Sequence, residues 1–91
     1  MNTTGTPTAE ALERTLRETL QPTLLTVIDE SAAHAGHSGA NGLGYGTHFR
    51  VRMASPAFEG LGRVAAHRLV YDVLRPYIDA GLHALAIEIE R

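Results

Sequence analysis

The chain has 91 residues and a formal charge of −2, with eight basic side chains, all arginine, against ten Asp and Glu. That length sustains one domain, burying only about 60–65% of the surface its unfolded form exposes, and excludes two; the acidic balance writes no general phosphate-binding surface into the composition. Cysteine is absent, which excludes disulfides and ligation by the chain's own thiolates and leaves His, Asp and Glu as metal ligands.

The opening stretch, MNTTGTPTAE, has no basic segment and no apolar core. No later stretch approaches the roughly 18–20 apolar residues of a membrane span. The expectation is a cytoplasmic chain with no membrane contact, unprocessed at Met1. Residues 1–7 read as a disordered arm and residues 8–91 as a single domain. Thr8 can cap a helix over about Ala9 to Leu20, whose Leu12, Leu16 and Leu20 recur every four residues and which Pro22 ends. Thr23 to Asp29, rich in Thr, Leu, Val and Ile, reads as a strand. From Thr47 to Met53 a second strand alternates Phe49, Val51 and Met53 with His48, Arg50 and Arg52, one face apolar and the other cationic. The two are expected to pair as an antiparallel hairpin.

Between them, Ser31 to Gly46 is far longer than the 2–5 residues usual for a hairpin connection, and loops of this length are uncommon unless functional or disordered. It is rich in glycine, which lets a backbone follow a partner's surface, and it carries His34 and His37 and opens onto His48. Neutral imidazole is the commonest protein metal ligand, so the segment reads as a site.

Beyond Ser55-Pro56, a turn through Phe58-Glu59-Gly60 leads to a helical stripe of Val70, Val73, Leu74, Tyr77 and Ile78. Pro76 kinks it or opens a separate final turn. After Gly81, Leu82 to Ile89 reads as a last strand with His83, Leu85, Ile87 and Ile89 on one face. The order αββααβ predicts an α+β domain, a three-stranded mixed sheet with helices on one face, in the arrangement of a class II KH-like fold.

Six blocks in register, VIDES (Val27–Ser31), HAGHSGA (His34–Ala40), THFRV (Thr47–Val51), FEG (Phe58–Gly60), HRLVYDVL (His67–Leu74) and GLHALAI (Gly81–Ile87), resemble the BolA family. The resemblance runs from the first strand to the last. It implies a small protein that partners monothiol, CGFS-type glutaredoxins in iron–sulfur cluster assembly, trafficking or iron homeostasis, with a second role in transcription regulation. The family's cluster pattern, a hairpin-loop residue plus a histidine at the start of the last strand, falls on His34 and His83. Without cysteine, the chain resembles the histidine-loop type. A [2Fe–2S] cluster would then be shared with a glutaredoxin cysteine and a glutathione thiol, two imidazoles on one iron and two thiolates on the other being known chemistry, and the isolated apo-protein would hold none.

Each histidine also has a plainer reading. His34 and His37 could be two solvated loop residues, with His37 an alternative or supporting ligand. His83 could be a half-buried histidine bonded to backbone. His67, also a candidate supporting ligand, reads more readily as a cap or core hydrogen bond, and His48, beside the arginines, has the weakest claim to a metal.

A second reading is a DNA-binding regulator using Arg50, Arg52, Arg63 and Arg68. Val64-Ala65-Ala66 stands where the family pattern is bulky and basic, which removes positive charge from that region. Gly60-Leu61-Gly62-Arg63 lacks the GXXG spacing of an RNA-clamping turn. A third reading, a small metalloenzyme with Asp29, Glu30 or Glu59 as general base, lacks a nucleophile elbow or phosphate loop to support it, so the expectation is a non-enzyme. A sheet edge and the loop suit a protein partner, with a homodimer as the apo-protein's alternative.

Overall fold

In the computed structural model, which describes residues 7–34 and 46–90 and only the backbone at Ala33 and His34, the first element is a helix, α1 (Ala9–Leu20). Thr8 caps it, its hydroxyl oxygen accepting the Ala11 N–H at 3.1 Å. Leu12, Leu16 and Leu20 fall on one face and are buried. Gln21, at φ 47°, turns the chain in the left-handed conformation that commonly ends helices, and Pro22 prevents continuation. Pro7, the last residue of the expected arm, is buried; residues 1–6 lie outside the described residues.

The chain then forms β1 (Leu24–Asp29), a short 3-10 turn at Ser31–His34, and β2 (His48–Ala54). A second 3-10 turn, Pro56–Phe58, precedes α2 (Arg63–Val73), α3 (Arg75–Asp79) and β3 (Ala84–Ile89). Pro76 sits in the first turn of α3, where its missing N–H costs nothing, so it begins a separate helix.

The sheet order is β1-β2-β3, with β1 antiparallel and β3 parallel to β2. Phe49, Val51 and Met53 of β2 face the helices and meet Leu12, Leu16, Ala66, Val70 and Leu74 in one core, with Leu25, Val27, Leu85 and Ile87 packed around it. On the opposite face, Arg50 and Arg52 alternate with that core set. The expected mixed three-stranded sheet, helices on one face, is the observed architecture.

One expectation needs correction. His83 does not share the apolar face of the last strand: β3 begins at Ala84, His83 is exposed, and Leu82 is buried in its place. The N–H groups of His83 and Ala84 both reach the Thr47 carbonyl, at 2.8 and 3.0 Å, so the two-residue alternation of a strand breaks at this point. Gly81, at φ 124°, supplies the turn that delivers them there.

Candidate functional site

At one end of the sheet the base of the long loop is closed by a hydrogen-bonded clasp. Asp29, the last residue of β1, accepts the Ser31 N–H (2.9 Å) and the Ser31 hydroxyl (2.5 Å) on Oδ1, and the Gly46 N–H (3.1 Å) on Oδ2. The Ser31 hydroxyl oxygen in turn accepts the N–H groups of Thr47 (2.9 Å) and His48 (3.0 Å). One donated and two accepted bonds use the full capacity of a hydroxyl, which permits Ser31 to be only 2% exposed. Gly46, at φ 90°, takes a backbone conformation that side chains resist. The glycines and histidines mark this loop in the sequence; Asp29 and Ser31 stand in the VIDES block, but that pattern does not reveal that they hold the two ends of the loop together.

His83 arrives at the same end. Its backbone is tied to Thr47, and its ring lies against that of His48, with centres 5.6 Å apart and planes inclined at 56°. His48 is 7% exposed, and its Nδ1 is 2.8 Å from the Thr47 hydroxyl. The structure therefore pairs His83 with the histidine to which the sequence assigned least weight. The 3-10 turn that follows β1 packs beside β2 and ends at His34, so the chain at His34 leaves from this end of the sheet. His37 lies outside the described residues. Among the described residues no three His, Asp or Glu side chains form a metal-holding group.

His67 sits elsewhere. Its Nδ1 faces the Arg63 carbonyl (3.1 Å) and its Nε2 the Ile87 carbonyl (3.0 Å). Ile87 is four residues along from His83, about 13 Å at the rise of a strand. The hydrogen-bonding reading of His67 is the one the geometry displays. Tyr71, one helical turn on, donates to the Leu85 carbonyl at 3.1 Å. Four residues of helix and two of strand both advance about 6 Å, so the two side chains meet alternate carbonyls of β3 in step.

The cationic face of β2 is answered by carboxylates. Arg50 contacts Glu30 at 2.9 Å and Glu88 at 2.8 Å, and Arg52 contacts Glu90 at 3.0 Å. Hydrogen bonds to Glu30, then to Glu88, hold the Arg50 guanidinium above its ordinary pKa. Arg63 and Arg68 are exposed on α2 and, among the described residues, make no ion pair. The four arginines proposed for nucleic acid thus divide into a neutralised pair on the sheet and an unpaired pair on the helix.

Known proteins are similar to this chain in sequence and in arrangement. The family described as BolA-like protein matches residues 16–90. An uncharacterized protein in the cobS 5′ region of Sinorhizobium sp is 51% identical over 80 residues, spanning 87% of this chain and 85% of that protein. The structure of BolA1 from Arabidopsis thaliana superposes with a TM-score of 0.80 at 42% identity, covering 92% of this chain and 90% of that one. The BolA domain of SufE1 from the same plant gives a TM-score of 0.79 at 39% identity, with coverage of 90% and 88%. With a family match across most of its length and relatives of this similarity, the chain belongs to the BolA-like family.

Proposed function

We propose that this protein is a non-enzymatic adaptor that binds a monothiol, CGFS-type glutaredoxin and contributes imidazole ligands, from His83 and the loop residue His34, to a shared [2Fe–2S] cluster. The observation that carries the reading is the placement of His83: exposed, tied through its backbone to Thr47, and set beside the stem from which the histidine-bearing loop departs. Imidazole on an exposed, anchored backbone suits an iron site that a second molecule must complete. The absence of cysteine from the sequence means that any thiolate in such a site comes from that molecule or from glutathione. When bound, imidazole in place of thiolate raises a cluster's reduction potential by reducing its negative charge. This chain's own part is to hold one or two neutral nitrogen donors at the contact surface.

DNA has less support than this partner, because two of its four arginines already face Glu30, Glu88 and Glu90, leaving only Arg63 and Arg68 without an ion pair among the described residues. The direct test adds the purified chain to a CGFS-type glutaredoxin loaded with cluster in the presence of glutathione. A new visible circular-dichroism spectrum and a one-to-one complex on gel filtration are expected. An unchanged spectrum at a several-fold excess of this chain overturns the proposal.

A further inference from the structure

We infer that His48 is a positioning residue that holds the imidazole of His83 in a single orientation at the end of the sheet. The inference rests on the function proposed for His83, but its physical content is a property of the protein alone. Three contacts build the arrangement. The Thr47 carbonyl accepts the N–H groups of both His83 and Ala84, which fixes the backbone from which the His83 ring projects. The Thr47 hydroxyl lies 2.8 Å from His48 Nδ1, which fixes the His48 ring about its own bonds. The two rings then meet with centres 5.6 Å apart and a 56° tilt, within the separations and inclined geometries that planar ring pairs favour.

The asymmetry of burial assigns the roles. His48 is almost wholly inside, with its backbone N–H on Ser31, whereas His83 is exposed and without such a neighbour would be free to populate several staggered rotamers. A buried ring held by a hydroxyl is a rigid support for an exposed one. The same dipeptide, Thr47-His48, receives the clasp from Ser31, so the orientation of His83 is coupled to the closed loop stem. For a ligand that must meet an iron presented by another protein, pre-set orientation lowers the ordering cost of each encounter.

The test has two arms. In the apo-protein, Hα–Hβ scalar couplings of His83 measured by NMR should report one χ1 rotamer for the parent chain and averaged couplings for His48→Ala. Thr47→Val, which keeps shape and backbone bonds and removes only the hydroxyl, should shift the couplings the same way with the amide spectrum otherwise preserved. In the cluster-bound complex with glutaredoxin, His48→Ala should speed cluster loss by about tenfold, the scale seen when a ligand's supporting partner is removed, while the spectral change itself persists. Unchanged His83 couplings in both variants overturn the inference. A parent chain that leaves the glutaredoxin spectrum unaltered overturns the proposed function instead, and the apo-protein arm still decides whether His48 orients His83.

Discussion

Ser31 meets Asp29 Oδ1 through both its hydroxyl and its backbone N–H, and this local contact sets the two side chains that then bridge to Gly46, Thr47 and His48 on the other stem of the long loop. Because the Ser31 hydroxyl oxygen also receives the N–H groups of Thr47 and His48, its removal orphans two buried donors at once. Ser31→Ala is expected to destabilise the fold by about 2–4 kcal/mol, at roughly 1–3 kcal/mol per buried unsatisfied group with partial relaxation. Urea denaturation would measure it. Amide exchange at Thr47 and His48 should quicken in the variant more than exchange in α1.

His83 and His34 are expected to differ in their effects on the shared cluster. His83→Ala should abolish the spectral change produced on mixing with cluster-loaded glutaredoxin, since it removes the exposed imidazole anchored on Thr47, and its ring neighbour His48 is only 7% exposed. His34→Ala should weaken the change, because His37 lies three residues on in the same glycine-rich segment. Neither substitution should alter the far-ultraviolet circular dichroism. A double variant that still produces the full spectral change of the parent chain would remove both residues from the ligand set.

Much of this architecture is legible in the residues because local signals agree with the global packing. Thr8, the Leu12, Leu16, Leu20 spacing and Pro22 delimit α1 to the residue, and the alternation about Phe49, Val51 and Met53 identifies the buried face of β2. The site is less legible, for a physical reason. Alternation places His48 with Arg50 and Arg52, as if exposed, and says nothing of a turn from Gly81 that lays His83 across it. Likewise, continuing the apolar alternation of β3 backward puts His83 inside, because a sequence pattern does not reveal that two consecutive N–H groups share the Thr47 carbonyl. The ion pairs across the open face did leave a trace. Arg50 and Arg52 are spaced by two, as are Glu88 and Glu90, and neighbouring strands can match such ladders.

That ladder bears on nucleic acid. The raised pKa of Arg50 means its charge stabilises the folded state throughout the range below its unfolded value, and the contribution is lost only as strongly alkaline solution deprotonates the folded guanidinium. Across neutral pH the arginine therefore stays charged and engaged. Replacing Glu88 and Glu90 together by Gln should free the Arg52 guanidinium, leave Arg50 held by Glu30 alone, and bring the formal charge from −2 to about 0. Retention on a DNA column at low salt should rise in that variant and fall steeply as salt is added, whereas Arg50→Gln with Arg52→Gln in the parent should change retention little. Strong, salt-sensitive retention of the parent that is lost with the two arginines would reverse this assignment.

The outer edge of β3 offers the last test. A bare edge strand presents carbonyl and N–H groups to any passing chain, and here His67 and Tyr71 of α2 reach the Ile87 and Leu85 carbonyls. The bond from His67 is part-buried and that from Tyr71 exposed, so the two are not equivalent. His67→Ala should cost about 1–2 kcal/mol by leaving a shielded carbonyl without its donor, and Tyr71→Phe about 0.5–1 kcal/mol, since water can take the place of the lost hydroxyl. Chemical denaturation of the single and double variants would give both values and their coupling. Because the two bonds sit one helical turn apart on a single helix, the double variant should also increase exchange at the β3 amides and promote concentration-dependent self-association through the exposed edge. A double variant that remains monomeric at high concentration, with protected β3 amides, would show that α2 covers the edge by packing alone.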